Sequence, residues 1–180
     1  MKKWIMYIVL IALGSFLWWA FSPLLFDKEV QDDLDPSLEA RLEMQRQADE
    51  RKASGQTDSK SSEQVGGDIE IEKDQGVQSQ GPYAITGTDG HPASGQMEII
   101  RSPEENLIRY LNYDGTNGPD LKIYLSKDLE ATDYIDLGPS KGNKGNIIYG
   151  VPMDADLSEY KYVLTWCEAF SVLFDYAEIK

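Results

Sequence analysis

The chain has 180 residues and carries 31 acidic side chains against 17 basic ones, giving a net charge of −14. Its single cysteine excludes an internal disulfide, and its single histidine leaves too few ligands for a zinc site of the Cys/His type. Nucleic-acid binding is excluded because it needs clustered Lys and Arg to displace phosphate counterions. A Ser-His-Asp enzyme would depend entirely on His91. Nothing in the composition therefore points to an enzyme.

The first segment, residues 1–26, predicts a signal-anchor helix. Residues 4–26 carry no charge, and 23 helical residues rise roughly 34 Å, enough for a hydrocarbon core of about 30 Å. Lys2 and Lys3 precede this segment and acidic residues follow it. The positive-inside rule then predicts a single-pass membrane protein with a cytoplasmic N-terminus and an extracytoplasmic C-terminal domain, the bilayer contacting residues 4–26. A cleaved secretory signal is the alternative, with a small-residue site at 12–14.

Residues 27–80 read as an acidic linker that contains one short helix, predicted over 36–53. Asp35 suits the N-cap and Pro36 the first turn. Leu38 and Leu42 give a thin apolar stripe that could pair with a second copy of the chain. From position 54 to 80 the sequence is rich in Ser, Gly, Gln and acidic residues, a composition typical of a disordered tether.

Residues 81–180 predict an all-β domain. Eight short extended runs alternate with turn residues such as Asp-Gly and Asn-Gly-Pro, which is typical of an antiparallel β-sandwich or barrel of about eight strands. The predicted strands are 83–88, 95–102, 107–113, 121–126, 134–137, 146–150, 160–167 and 170–179.

Several motifs in this region resemble the DM-thirteen (electron transfer DM) domain family, a small extracellular β module. They are Asn117-Gly118-Pro119-Asp120-Leu121, Tyr124-Leu125-Ser126, Asp136-Leu137-Gly138, Lys141-Gly142-Asn143, Gly145-Asn146, Trp166-Cys167 and Phe170-Ser171-Val172, with His91 and Ala93-Ser94-Gly95 at the opening turn. The resemblance spans 81–180 and implies a redox or electron-transfer role with a cysteine matching Cys167. Two departures are Asp175, where the family pattern has Gly, and Pro139-Ser140 in place of a more basic pair.

Cys167 is accordingly the candidate redox thiol, with His91 and Trp166 as candidate cofactor contacts. The reactive form would be the thiolate, which the adjacent Glu168 disfavours. Strand alternation places Cys167 on the less apolar face of its strand, with Val163 and Thr165. An unreactive buried thiol is the alternative, and an intermolecular disulfide is a third use.

The remaining candidates have simpler explanations. His91 with Met97 or Met153 could supply axial haem ligands, although a single histidine in a turn is better explained as a surface or turn-stabilising side chain. The loops 114–120 and 141–146 suggest calcium or phosphate, but turn chemistry accounts for both. No metal site is predicted and no cofactor is identified. Beside the redox module, a non-catalytic extracellular module that binds a protein or glycan partner through the loops around His91, 117–119 and 141–146 remains open.

Overall fold

The computed structural model describes residues 2–54 and 76–179, without the side chains at positions 2, 19–25 and 52. Within these ranges the chain forms two helices and nine strands, which are α1 (Lys2–Leu25), β1 (Glu29–Gln31), α2 (Pro36–Ala53), β2 (Gln78–Gly87), β3 (Ser94–Arg101), β4 (Asn106–Asp114), β5 (Leu121–Ser126), β6 (Tyr134–Pro139), β7 (Lys144–Val151), β8 (Tyr162–Cys167) and β9 (Val172–Glu178).

All nine strands belong to one curled sheet with the order β1-β7-β4-β3-β2-β9-β8-β5-β6. The pairing of β1 with β7 is parallel and the other pairings are antiparallel. The predicted antiparallel sandwich or barrel of about eight strands is therefore wrong, because the sheet is mixed and curls into an open half-barrel. The prediction missed β1 because three residues in a charged segment show no alternation of apolar and polar side chains. The β-rich character of the domain is confirmed.

Strand β2 forms the corner of the curl. Its first half, from Gln78 to Ala84, pairs with β3, and its last three residues, Ile85–Gly87, pair with β9. The register shifts between Gln80 and Tyr83, where Gly81 has a φ of 121° that favours glycine. Such an irregularity bends a strand and increases its twist. The two halves of the sheet therefore face each other across one interior.

That interior is an aliphatic and tyrosine core. Fifteen buried side chains from both halves of the sheet form one cluster, which includes Met97, Ile108, Leu125, Ile147 and Val163. Strand β3 is buried on both faces, so four successive residues, from Met97 to Ile100, are inaccessible. A second layer must therefore cover the outside of this strand.

Helix α2 and the segment before it provide that layer. Leu34, Leu38 and Leu42 pack with Ile100 and Leu107 in a separate buried cluster on the outer face of the sheet. The stripe that could have paired with a second chain is thus used within the same chain. Each Å² of apolar surface removed from water stabilises the fold by about 25 cal/mol. Because an isolated helix of this length is marginally stable in water, this contact is the main source of stability for α2.

The start of α2 follows the predicted capping pattern. Asp35 Oδ1 accepts a hydrogen bond from the Ser37 backbone N–H at 2.9 Å, and Pro36 occupies the first helical position. This hydrogen bonding to Ser37 lowers the pKa of the Asp35 carboxyl.

A buried carboxylate fixes α2 on the sheet. Glu98 of β3 is 3% exposed and lies under the helix. Arg46 Nη2 approaches its Oε2 at 2.7 Å, Arg109 Nε approaches its Oε1 at 3.2 Å, and Ser79 Oγ donates to Oε2 at 3.0 Å. Because a buried charge is costly without partners, loss of either arginine should destabilise the sheet together with the helix.

The N-terminal helix overturns the predicted membrane anchor. None of the helices described in the structure has both the length and the apolar character needed to cross a bilayer. The predicted transmembrane helix over 4–26 and the single-pass topology with an extracytoplasmic domain are therefore wrong. The predicted partners, which are the bilayer and an extracytoplasmic protein, stay a prediction.

The predicted tether lies largely outside the described residues, which resume at Gly76. Val77, within the predicted tether, is 2% exposed and belongs to the cluster under α2. The division into 1–26, 27–80 and 81–180 stays a prediction, but β1 and α2 of the middle segment are packed on the sheet.

We expect Leu42→Ala to lower the free energy of opening of α2 by about 2–4 kcal/mol, because the substitution removes buried contacts and leaves a cavity. Met44→Ala is the matched control, since Met44 is 62% exposed on the same helix. Amide hydrogen exchange across α2 measures both effects. Equal effects at positions 42 and 44 would show that the helix does not depend on its contact with the sheet.

Candidate functional site

Cys167 lies at the last position of β8 and is fully buried. Its Sγ donates a hydrogen bond to the Pro119 carbonyl oxygen at 3.1 Å. With Leu121 and Phe174 it forms a small buried cluster at one end of the sheet. The face predicted to be less apolar is in fact an inner face, since Val163 and Thr165 are also buried.

An irregularity in the pairing of β8 with β9 brings Phe174 to this cluster. Thr165 pairs with Asp175, but the next residue, Trp166, pairs with Leu173. Phe174 is therefore an extra residue on β9, as in a β-bulge, which re-aims a side chain locally. The sequence gives no signal for this register shift.

His91 stacks on the same phenylalanine. The two rings have centroids 3.8 Å apart and an interplanar angle of 25°. His91 Nδ1 lies 3.3 Å from Thr88 Oγ1, and that hydroxyl also donates to the Leu173 carbonyl at 2.8 Å. The His91 backbone N–H donates to the Thr88 carbonyl at 3.0 Å, which closes the turn. The structure thus places His91 and Cys167 around one ring.

Trp166 does not join this site. It is half-buried, and as the neighbour of Cys167 in the strand it points to the opposite face. The methionines proposed as partners of His91 are also elsewhere, because Met97 is part of the interior core and Met153 is 54% exposed in a loop. A His/Met axial pair is therefore not assembled.

The loop 141–146 is covered by the chain's own N-terminal segment. The Asn143 side chain accepts from the Lys28 backbone N–H at 2.7 Å and donates to Asp27 Oδ1 at 2.8 Å and to the Gly115 carbonyl at 3.0 Å. Lys144 forms ion pairs with Asp27 and Asp114. This loop is therefore a poor contact surface for a partner.

The structure offers little for a metal ion. Its described residues contain no group of three or more His, Cys, Asp or Glu side chains arranged to hold one. In the loop 114–120, the Asn117 side chain instead donates to the Phe26 carbonyl at 2.8 Å and accepts from the Gly118 N–H at 2.9 Å.

Sequence reasoning missed a buried polar group in the interior. Tyr113 donates from its hydroxyl to Asp175 Oδ2 at 2.7 Å, and Asp175 is 1% exposed. Tyr110 packs edge-to-face on Tyr113 and on Tyr149, with ring centroids 5.2 and 5.8 Å apart. The one available signal was the acidic residue at 175, where the family pattern has Gly.

The environment of Asp175 favours its protonated form. Burial raises the pKa of this carboxyl to about 6, although the hydrogen bond from Tyr113 acts in the opposite direction. Burial, together with the nearby Asp175 charge, also raises the pKa of the Tyr113 phenol. Asp175 is therefore the interior group that titrates near neutral pH.

The stability of the fold should depend on the protonation of Asp175. A carboxyl group whose pKa is higher in the folded chain than in the unfolded chain stabilises the fold when protonated. For a rise from 3.8 to about 6, this contribution is complete below pH 3.8 and is lost as the pH rises through 6. At about 1.36 kcal/mol per pKa unit, the loss is on the order of 3 kcal/mol.

Asp175→Asn isolates this effect, because the amide oxygen can still accept from Tyr113 and no longer titrates. Urea unfolding of both chains between about pH 4 and pH 8 should show the variant gaining stability relative to the parent as the pH rises. A difference between the two chains that does not change with pH would contradict the assignment.

Comparison with known proteins identifies one family. Residues 86–179, more than half of the chain, match the family model described as electron transfer DM13. No curated protein and no solved structure matches the chain.

Proposed function

The chain belongs to the electron transfer DM13 family, and from this membership we propose that Cys167 is the group through which its domain exchanges electrons. The supporting observation is the convergence of two candidates, since His91 stacks on Phe174 and Phe174 packs in the cluster that contains Cys167. Trp166, on the opposite face, has no part in this proposal.

The resting form of Cys167 in this proposal is a protonated thiol. Its Sγ–H donates to the Pro119 carbonyl, and the apolar side chains of Leu121 and Phe174 enclose it. Nucleophilic chemistry needs the thiolate and access to its target. The thiol therefore reacts only after its cover moves.

The cover is the turn from Asn117 to Asp120. A Cβ added to Gly118 would lie 2.7 Å from the Phe174 ring, so the turn rests directly on that ring. Asp120 has a φ of 51°, a conformation uncommon for residues other than glycine. Displacement of this turn removes the Pro119 carbonyl and opens the thiol to solvent.

The redox step is thiol–disulfide exchange with a disulfide supplied by a partner. The Cys167 thiolate attacks one partner sulfur, a mixed disulfide forms, and the second partner sulfur leaves as a thiolate. The proton lost by Cys167 is taken up by this leaving group. The Cys167 sulfur is oxidised and the leaving sulfur is reduced. A further thiol releases Cys167 by the same exchange.

Labelling kinetics test the opening of the cover, because the chain has only one thiol. In the native full chain, alkylation of Cys167 should be slow but faster than global unfolding allows. Gly118→Ala should accelerate it about tenfold or more, since the new methyl group collides with Phe174. Gly150→Ala is the matched control, because a Cβ there meets no atom within 4 Å.

Mass spectrometry after incubation with glutathione disulfide tests the redox step itself. The native chain should form a mixed disulfide at Cys167, and reduced glutathione should reverse it. Alkylation that occurs only through global unfolding, together with no mixed disulfide, would contradict the proposal.

A non-catalytic interaction module is the second candidate, and Phe170 is the observation that favours it. This side chain is 70% exposed in the turn after β8, and Val172 beside it is 37% exposed. A photo-crosslinking residue at position 170 would capture a protein partner. If the partner is still crosslinked in Cys167→Ser, binding does not need the thiol and the interaction module is supported. If crosslinking is lost in that variant, the partner is held through the thiol and the redox proposal is supported.

A further inference from the structure

A cavity of about 390 Å³ lies at the end of β3 opposite His91. The start of β2, the β3–β4 turn and the loop after β7 border it, and one side is open to solvent. Its lining residues are Gly76, Gln78, Arg101, Ser102, Pro103, Asn106, Met153, Ala155 and Leu157. None of them is acidic, in a chain whose net charge is −14.

Arg101 is the charged group of this cavity, and it has no partner among the described residues. Its Nε is buried without a hydrogen bond, and the guanidinium makes no ion pair within the described ranges. By contrast, Arg41, Arg46 and Arg109 each contact a glutamate. The difference sets Arg101 apart from the arginines that fix the fold.

A buried guanidinium N–H without a partner is costly, and here the Nε–H of the half-buried Arg101 is in that position. The guanidinium presents five N–H donors in a planar fork that matches a carboxylate. Buried polar groups are almost always hydrogen-bonded, so an orphaned one points to a missing ion or ligand. The cavity in front of Arg101 provides the room for it.

The other lining groups define the shape of that ligand. The amides of Gln78 and Asn106 stand beside Arg101 and can add hydrogen bonds, while the Ser102 hydroxyl is already engaged with the Glu105 carbonyl at 3.0 Å. Met153, Ala155 and Leu157 form an apolar wall. The site therefore combines one cationic end with one apolar side.

We propose that this cavity binds a small monocarboxylate with an apolar body, such as a short-chain fatty acid. The carboxylate pairs with Arg101, and the hydrocarbon part packs on Met153 and Leu157. A carboxylate suits the site because its two oxygens match the planar fork of the one guanidinium in the lining. The volume falls in the range of small-molecule sites.

Hexanoate titrated into the full chain tests this proposal, with amide chemical shifts and the Arg101 Nε signal as readouts. We expect saturable shifts around the cavity. Arg101→Gln should weaken binding about ten- to hundredfold, because a charge-assisted bidentate contact is lost. Arg101→Lys should retain part of the affinity. Arg51→Gln is the matched control on the exposed surface of α2 and should change nothing.

Ligand controls separate the two parts of the site. Hexanol, which lacks the charge, and acetate, which lacks the apolar body, should each bind much more weakly than hexanoate. Equal binding of hexanol and hexanoate, or equal affinity in Arg101→Gln, would overturn the proposal. Failure of hexanoate to bind any version of the chain would also overturn it.

Discussion

The curl of the sheet at β2 is the constraint on which the rest of the molecule depends. Because β2 pairs with β3 in its first half and with β9 at its end, the two halves of the sheet share one interior. That interior brings Tyr113 of β4 to Asp175 of β9. The outer face of β3 points away from that interior. Helix α2 covers this face, and Glu98 is buried under the helix.

The same geometry explains why the candidate thiol is closed. Cys167 ends a strand whose inner face fills the core, and the turn containing Pro119 covers its sulfur. In the proposed function, access to the sulfur controls its reactivity, and access depends on the movement of this one turn. Membership in the electron transfer DM13 family is the reason to propose a redox role for this closed thiol, and the exposed Phe170 is the reason to propose a contact surface nearby.

The segment from Asp27 to Ala53, which precedes the β domain in the sequence, packs on the sheet and is part of the same folded unit. Strand β1 extends the sheet at β7, Asp27 and Lys28 contact Asn143, and α2 covers β3. The loop 141–146, which the sequence predicts to be an accessible surface, is consequently covered by this segment. Removal of residues 27–53 would expose a sheet edge and an apolar face together, so any functional assay should use the full chain.

The sequence by itself determined the family, the eight strands of the β domain and the capped helix after Asp35, because motifs, alternation and capping are local patterns. Only the tertiary structure decided the ninth strand, the Asp175–Tyr113 contact, the burial of Cys167 and the position of Arg101, whose Nε has no hydrogen-bond partner among the described residues. Each of these depends on pairing between segments far apart in the chain. A single register shift in β9 placed Phe174 between His91 and the thiol, and no local pattern specifies such a shift.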